Sequence, residues 1–355
     1  MKRKKVLTTL FMMPIFLSIA GLFFVFEASY VRAFNDFGDS FHYLKVQSLW
    51  ILLGILVMTI LSFLDYHRWY YFAFYMMLGS LLLLFLVLIP GVGSKVGGAR
   101  RWIFGFQPSE IAKFSTIIYL SSWFLTKERK RFFSFIILLG LLMFLIMVQP
   151  DMGTATVIFG ISIISYFLAG VELRYLLFLI PIAVLSFGVL AQLAPYRLKR
   201  LIAFFDPSAD PLGITYHINQ IMISLANGGL FGRGFGASKQ KHLYLPEAHT
   251  DSIFAIVGEE LGFLGSTIFI GGFILLITYI FRIAEKAPDR YGRLLMGSIF
   301  GFFGLQTLVN LGSMVHIIPL TGVPLPFISY GGTNLLLCFS LMGITLNIAK
   351  QTRIE

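Results

Sequence analysis

The chain has 355 residues, 57% of them hydrophobic and 13% charged, with a formal net charge of +11. Soluble domains are nearer half apolar with about a quarter charged, so this composition excludes an ordinary soluble fold and points to an integral membrane protein. Its one cysteine, Cys338, excludes an internal disulfide and a cysteine metal cluster.

The chain opens on Lys2, Arg3, Lys4 and Lys5, followed by an apolar run too long for a signal peptide's core. Runs of roughly 20 apolar residues, enough to cross about 30 Å of hydrocarbon as helices, then recur along the sequence. The predicted spans are Val6–Phe26, Val46–Leu64, Trp69–Pro90, Ser109–Leu125, Phe132–Gln149, Met152–Val171, Tyr175–Pro195, Ser252–Phe281, Leu294–Ile318 and Phe327–Ala349. The runs are continuous rather than alternating, which argues against a β-barrel. The expectation is an all-α membrane protein: one polytopic domain over 1–355, a bundle of about ten helices, with one long extracytoplasmic loop at about 196–251. No internal repeat supports transporter-like symmetry.

Lys and Arg set the orientation. Placing both termini in the cytoplasm puts the dense clusters of TKERKR and of Arg282, Lys286, Arg290 and Arg293 inside. The positive net charge then marks loops and anionic lipid, and no nucleic acid is implied. Arg100 and Arg101 fall in a short outside loop against this rule, which points to an anionic partner there, such as a diphosphate.

In GARRWIFGFQPSEIAKF, Pro108 suits a first helical turn, and Glu110 and Lys113 become i,i+3 neighbours. Both lie inside an apolar span, so a polar cavity is expected around them. Asp151 in QPDMGTA reads equally as a helix N-cap or a site residue. In the long loop, Ile214–Ala226 has the spacing of a short amphipathic helix, lying either on the membrane face or packed on its neighbours.

The stretch YLPEAHTDSIFAIVGEELG, Tyr244 to Gly262, gathers Glu247, His249, Asp251, Glu259 and Glu260 at the mouth of a span. Carboxylates there are costly and mark a site. Asp251 reads as a helix cap or as a general base whose pKa burial raises. His249 is a rival base. The span that follows is about ten residues longer than a bilayer needs, so it is expected to tilt or protrude, with Glu259 and Glu260 facing a cavity. PLTGVPLPFISYGGTNLL, Pro319 to Leu336, reads as a rigid re-entrant segment that shapes a groove.

Other chemistries find no support. GVGSKVGG lacks phosphate-loop spacing, and GRGFG has no flanking strand and helix. HExxH and GxSxG patterns are absent.

Six motifs in order, GARRWI, FQPSEIAKF, QPDMGTA, GGLFGRGFG, LPEAHTDSIFAIVGEELG and GVPLPFISYGG, resemble the shape, elongation, division and sporulation (SEDS) proteins, FtsW and RodA. Ala248 in YLPEAHTD is more like the division member. Glu27, where the family usually has a small polar residue, and Ser252, where it has Phe, depart from the pattern. The resemblance implies a ten-span peptidoglycan glycosyltransferase that uses lipid II and releases undecaprenyl diphosphate at the bacterial inner membrane. It implies a catalytic Asp251, pocket charges at Glu110, Lys113 and Asp151, and a divalent cation such as Mg2+ or Mn2+. It also implies a class B penicillin-binding protein and other divisome or elongasome proteins as partners. Arg100, Arg101 and Lys113 would neutralise the diphosphate, with His249 beside it. The competing readings are a lipid II flippase and a non-catalytic scaffold.

Overall fold

The computed structural model describes residues 3–96, 99–125, 131–170, 175, 177, 181, 200, 202–206, 208, 213, 215–241 and 244–353. The predicted span Tyr175–Pro195 lies outside them apart from three residues. The helices are α1 (Arg3–Phe37), α2 (His42–Phe63), α3 (Arg68–Leu86), α4 (Pro108–Trp123), α5 (Phe132–Val148) and α6 (Met152–Leu168), then α7 (Tyr216–Gly228), α8 (Ile253–Lys286), α9 (Arg290–Met314) and α10 (Gly332–Gln351). Among the described residues, six helices are long and apolar enough to cross a membrane, and α5 and α6 are shorter apolar helices. The chain is a multi-pass membrane protein.

The helices sort by what they bury. On α2 only a narrow stripe is buried, Gln47, Ile51, Gly54, Met58 and Ser62, while Leu49, Leu52, Leu56 and Ile60 are exposed. The 3–4 spacing gives one packed face on a helix that is apolar all round, as lipid contact requires. By contrast α9 and α10 are buried on most sides and carry the polar residues Gln306, Asn310, Asn334 and Asn347. The core therefore lies between α9, α10, α2, α4 and α6, whose pairs pack together.

Both termini lie at one end, where Arg3 donates to the Lys350 carbonyl. At this end the α2–α3 turn is tied down: the Tyr66 hydroxyl donates to Asp289, and the Tyr66 amide donates to Asn347 Oδ1 at 3.0 Å. The opposite end carries the Tyr244–Asp251 segment. It also carries a two-stranded antiparallel hairpin, β1 (Ser94–Val96) and β2 (Ala99–Trp102). The glycine-flanked GSK that resembles a phosphate loop thus belongs to a hairpin.

Three boundaries differ from expectation. First, α1 runs 35 residues, about 50 Å at 1.5 Å per residue, so its last turns rise past the bilayer and bring Arg32 to the Glu247 segment. Secondly, the last helix starts at Gly332 rather than Phe327, because Phe327 takes a positive φ of 64° and the turns that follow it run on to the N-cap Gly331. Thirdly, α8 is not one continuous helix. Gly262, at φ 66° and ψ −167°, breaks it, a conformation open to glycine without a Cβ penalty. This long span is thus two helical segments meeting at Gly262.

Candidate functional site

The break in α8 organises the neighbouring loop. Freed helix groups pair across it: the Phe263 and Leu264 amides donate to the Gly229 and Leu230 carbonyls, at 2.9 and 3.1 Å. In return the Arg233 and Gly234 amides donate to the Glu259 and Glu260 carbonyls, at 3.0 and 3.1 Å. Backbone groups left over by a break must be paired somewhere, and here the GGLFGRGFG loop supplies the partners. The side chain of α7 that meets α8 is Ser224, donating to the Ala255 carbonyl at 3.0 Å. A Cβ on Gly228 would lie 2.0 Å from the Gly258 carbonyl oxygen. Of the two placements open for this helix, packing on a neighbour is the one observed.

Glu259 and Glu260 do not face a cavity. Both are buried, Glu259 accepting from the Ser238 hydroxyl at 2.5 Å and the Lys239 amide at 3.3 Å. Sequence position brought them near Asp251, but helical periodicity turns them inward, where they hold the loop.

Asp251 ends the loop one residue before the α8 N-cap. Its carbonyl accepts from Asn310 Nδ2 at 2.8 Å, and the same amide also donates to the Val323 carbonyl at 2.8 Å. One α9 side chain thus joins the acid to the Pro-rich segment. A Cβ on Gly322 would sit 3.6 Å from Asp251 Oδ2, so this segment forms one wall beside the carboxylate. The Asp251 side chain is partly exposed, and the capping reading fails because Ser252 is the N-cap with no side-chain cap bond. The Thr250 hydroxyl stands 2.9 Å from Glu247 Oε2 and 3.2 Å from Asp251 Oδ1. Glu247 itself sits at φ 50°, a strained conformation for a non-glycine residue and of the kind concentrated at sites. Arg32 from α1 reaches to 3.8 Å of Glu247 Oε1.

Burial raises the Asp251 pKa; His217 opposes the rise, and Glu247 adds to it. His217 is an α7 residue whose Nε2 lies 2.7 Å from the Ser252 hydroxyl, and its own pKa is pushed down chiefly by burial. Arg200, which donates to the Leu320 carbonyl at 3.1 Å, also acts on both groups. His249 has a different environment. It is buried between Tyr43 and Tyr330, with ring centroids 4.6 and 5.6 Å away, and burial lowers its pKa to about 4. That is a packing position for a neutral imidazole.

The other predicted residues form a second cluster inside the bundle. Lys113 Nζ lies 2.7 Å from Glu110 Oε1 and 3.5 Å from Gln306 Oε1, with both charged side chains buried. Asp151 is the N-cap of α6: Oδ1 accepts from the Thr154 amide at 3.0 Å and Oδ2 from the Thr154 hydroxyl at 2.9 Å. Gln107 Nε2 also donates to Oδ2 at 3.2 Å. Arg101 donates to the Gln149 carbonyl at 2.9 Å and to the Pro150 carbonyl. It therefore clamps the hairpin to the α5–α6 turn, and its charge is engaged by backbone. Arg100 is half-buried in β2, in register with Lys95.

Gln306 and Asn310 link the two clusters. One turn apart on α9, they face Lys113 and Asp251 respectively. Gln306 also donates to Asn334 Oδ1 at 2.7 Å and to the Pro324 carbonyl at 3.0 Å. Sequence reading missed these residues, together with His217 and Arg200. The available signal was an i,i+4 pair of amides inside an apolar span, which is costly unless it faces protein or water.

Among the described residues, no three His, Cys, Asp or Glu side chains converge to hold a metal ion.

Residues 7–354 match the FtsW/RodA/SpoVE family of cell cycle proteins. The chain is 38% identical over 353 residues to a probable peptidoglycan glycosyltransferase FtsW of Geobacter sp. (strain M18), covering 96% of each. It is 40% identical over 344 residues to the stage V sporulation protein E of Bacillus subtilis (strain 168), covering 94% of each. A solved chain of a peptidoglycan synthase complex that coordinates polymerization and crosslinking superposes with a TM-score of 0.77 at 29% identity, covering 95% of this chain and 97% of that one. The rod shape determining protein RodA of Thermus thermophilus gives 0.68 at 28% identity, covering 96% and 97%. With the family match spanning nearly its whole length, the chain belongs to the FtsW/RodA/SpoVE family.

Proposed function

We infer that this chain is a peptidoglycan glycosyltransferase, which polymerises lipid II into glycan strands. The observation that carries the mechanism is Asp251: a partly exposed residue whose carboxylate pKa is raised and whose backbone carbonyl Asn310 holds against the Pro-rich segment, at the end of the bundle opposite the termini. A carboxylate with its pKa raised toward neutrality is a stronger base than an exposed one. Asp251 takes the proton of the acceptor sugar's 4-hydroxyl as that oxygen attacks the donor's anomeric carbon. The bond from this carbon to the diphosphate oxygen breaks, and undecaprenyl diphosphate leaves with the electron pair. A single displacement inverts the anomeric centre.

Arg200 and Arg32, which face the Asp251–Glu247 segment, are the cations placed to meet diphosphate charge, with Arg100 at the hairpin. His249 supports the segment by packing, while Glu110, Lys113 and Asp151 organise the interior beneath it. A divalent cation belongs to the proposal as an ion shared with substrate. Mg2+ commonly binds through one or two carboxylates plus substrate phosphates, which suits a site where Asp251 and Glu247 stand close. Its contribution when bound is neutralisation of the diphosphate. The protein sits in the bacterial inner membrane with both termini cytoplasmic and Asp251 outside. Its partners are a class B penicillin-binding protein and other divisome or elongasome proteins.

The test is polymerisation of labelled lipid II by purified protein with its transpeptidase partner, with and without chelator. Asp251→Asn is expected to lose about 10²–10⁴-fold in rate. A folded Asp251→Asn that polymerises at the wild-type rate refutes the assignment. Transfer of lipid II between leaflets without polymer would make the protein a flippase instead.

A further inference from the structure

Glu27 stands out in the structure as a carboxylate on a membrane helix with a dedicated partner. Its Oε2 lies 2.7 Å from Lys241 Nζ. The Lys241 ammonium also donates to the Gly236 carbonyl at 2.7 Å, stands 3.6 Å from Glu260 Oε1, and lies 5.4 Å from the centre of the Tyr30 ring. The Lys241 side chain is only 4% exposed. A lysine normally keeps its charged head in water, so a buried ammonium spanning α1, α8 and its own loop is a fixed point.

The place of that point in the chain matters. Residues 229–234 are locked to the broken helix by backbone pairs. The chain then passes Lys241 and enters the Tyr244–Asp251 segment, whose far end is fixed by the start of α8. Lys241 is therefore the near anchor of the stretch that carries Asp251. Without Glu27 the ammonium keeps its acceptors Gly236 and Glu260 and its contact with the Tyr30 ring, but loses its charge pair with α1.

We propose that Glu27 and Lys241 are positioning residues, a clamp between α1 and the loop that sets where Asp251 stands relative to α9 and the Pro-rich segment. The clamp itself rests on geometry alone, and its effect on turnover rests on the glycosyltransferase reading. It acts on Asp251 through the chain and touches no reacting atom.

Glu27→Gln tests it without leaving an unpaired carboxylate, with two measurements in the same full-length protein. Hydrogen exchange is expected to rise about tenfold across 237–251, as loss of one charge-assisted bond predicts, while α9 and α10 stay protected. In lipid II polymerisation, kcat is expected to fall several-fold with KM within twofold of wild type, and Glu27→Asp to recover part of the loss. Unchanged exchange across 237–251 overturns the clamp whatever the activity. Raised exchange with unchanged kcat overturns its positioning role. A wild-type protein that makes no glycan would sink the enzymatic reading, and the exchange measurement would still decide the clamp.

Discussion

Lys113→Met isolates the electrostatics of the interior. The ammonium lies 2.7 Å from Glu110 Oε1, and the two side chains are 1% and 2% exposed. The other carboxylate oxygen, Glu110 Oε2, is buried without a hydrogen-bond partner. Glu110 therefore depends on Lys113 for its compensating charge, and the methionine would leave a carboxylate stranded in the bundle. Breaking a buried pair from one side costs about 3–5 kcal/mol, equivalent to a factor of roughly 10² to 4 × 10³ in the folding equilibrium at 1.4 kcal/mol per tenfold. Removing both charges tells a different story. Glu110→Leu with Lys113→Met keeps the volume and leaves no buried charge unpaired, so its stability is expected within about 1 kcal/mol of wild type or above it. Thermal midpoints of wild type, both single variants and the double variant, in one detergent, close the cycle. The single lysine variant should fall by many degrees and the double variant recover. A Lys113→Met protein as stable as wild type, or a double variant as unstable as the single, refutes the argument. Polymerisation by the recovered double variant then reports whether the ammonium also meets substrate.

Asp251→Asn should raise the thermal midpoint near pH 7. The folded-state pKa is raised, so the native chain binds this proton more tightly than the unfolded chain, and stability falls as pH rises through that window and stays reduced above it; asparagine removes the penalty, and a midpoint unchanged or lowered contradicts the burial argument. For the same reason the acid limb of the activity profile should lie above the ordinary carboxylate value of 3.8; a limb at or below it would exclude Asp251 as the titrating base. His249 works in the opposite direction: held neutral with a pKa of about 4 against 6.5 when unfolded, it contributes stability that is full above about 6.5 and is lost as pH falls toward 4. His249→Gln should therefore flatten the thermal midpoint between pH 7 and 4.5, and equal slopes would refute this. Gly228→Ala drives a Cβ to 2.0 Å from the Gly258 carbonyl oxygen and should lower both the thermal midpoint and the yield of folded protein; retention of both would mean that α7 does not need this close approach.

Apolar run length made most of the fold legible, because lipid leaves a helix few alternatives to spanning. Asp251 was legible too, since its loop gathers acids in a chain that is otherwise poor in charge. The roles of neighbouring acids were not. Composition cannot tell which face of a helix Glu259 and Glu260 occupy relative to a break, and the break depends on one backbone conformation at Gly262. Arg101 looked like a ligand for an anion because the carbonyls of Gln149 and Pro150, its observed acceptors, are some fifty residues away. Gln306 and Asn310 went unnoticed because amides carry no charge to stand out against an apolar background. Even so, each places two hydrogen bonds that connect the clusters the charged residues mark.

The exchange of amides and carbonyls across Gly262 also restricts how homologous sequences can vary in length. Gly229, Leu230, Arg233 and Gly234 each have a fixed backbone counterpart between Glu259 and Leu264. One residue inserted within 229–234 or within 259–264 would shift the pairing and orphan several backbone groups at once. Insertions and deletions should therefore avoid 229–234 and 259–264 and fall elsewhere in this long connection among proteins that share the break.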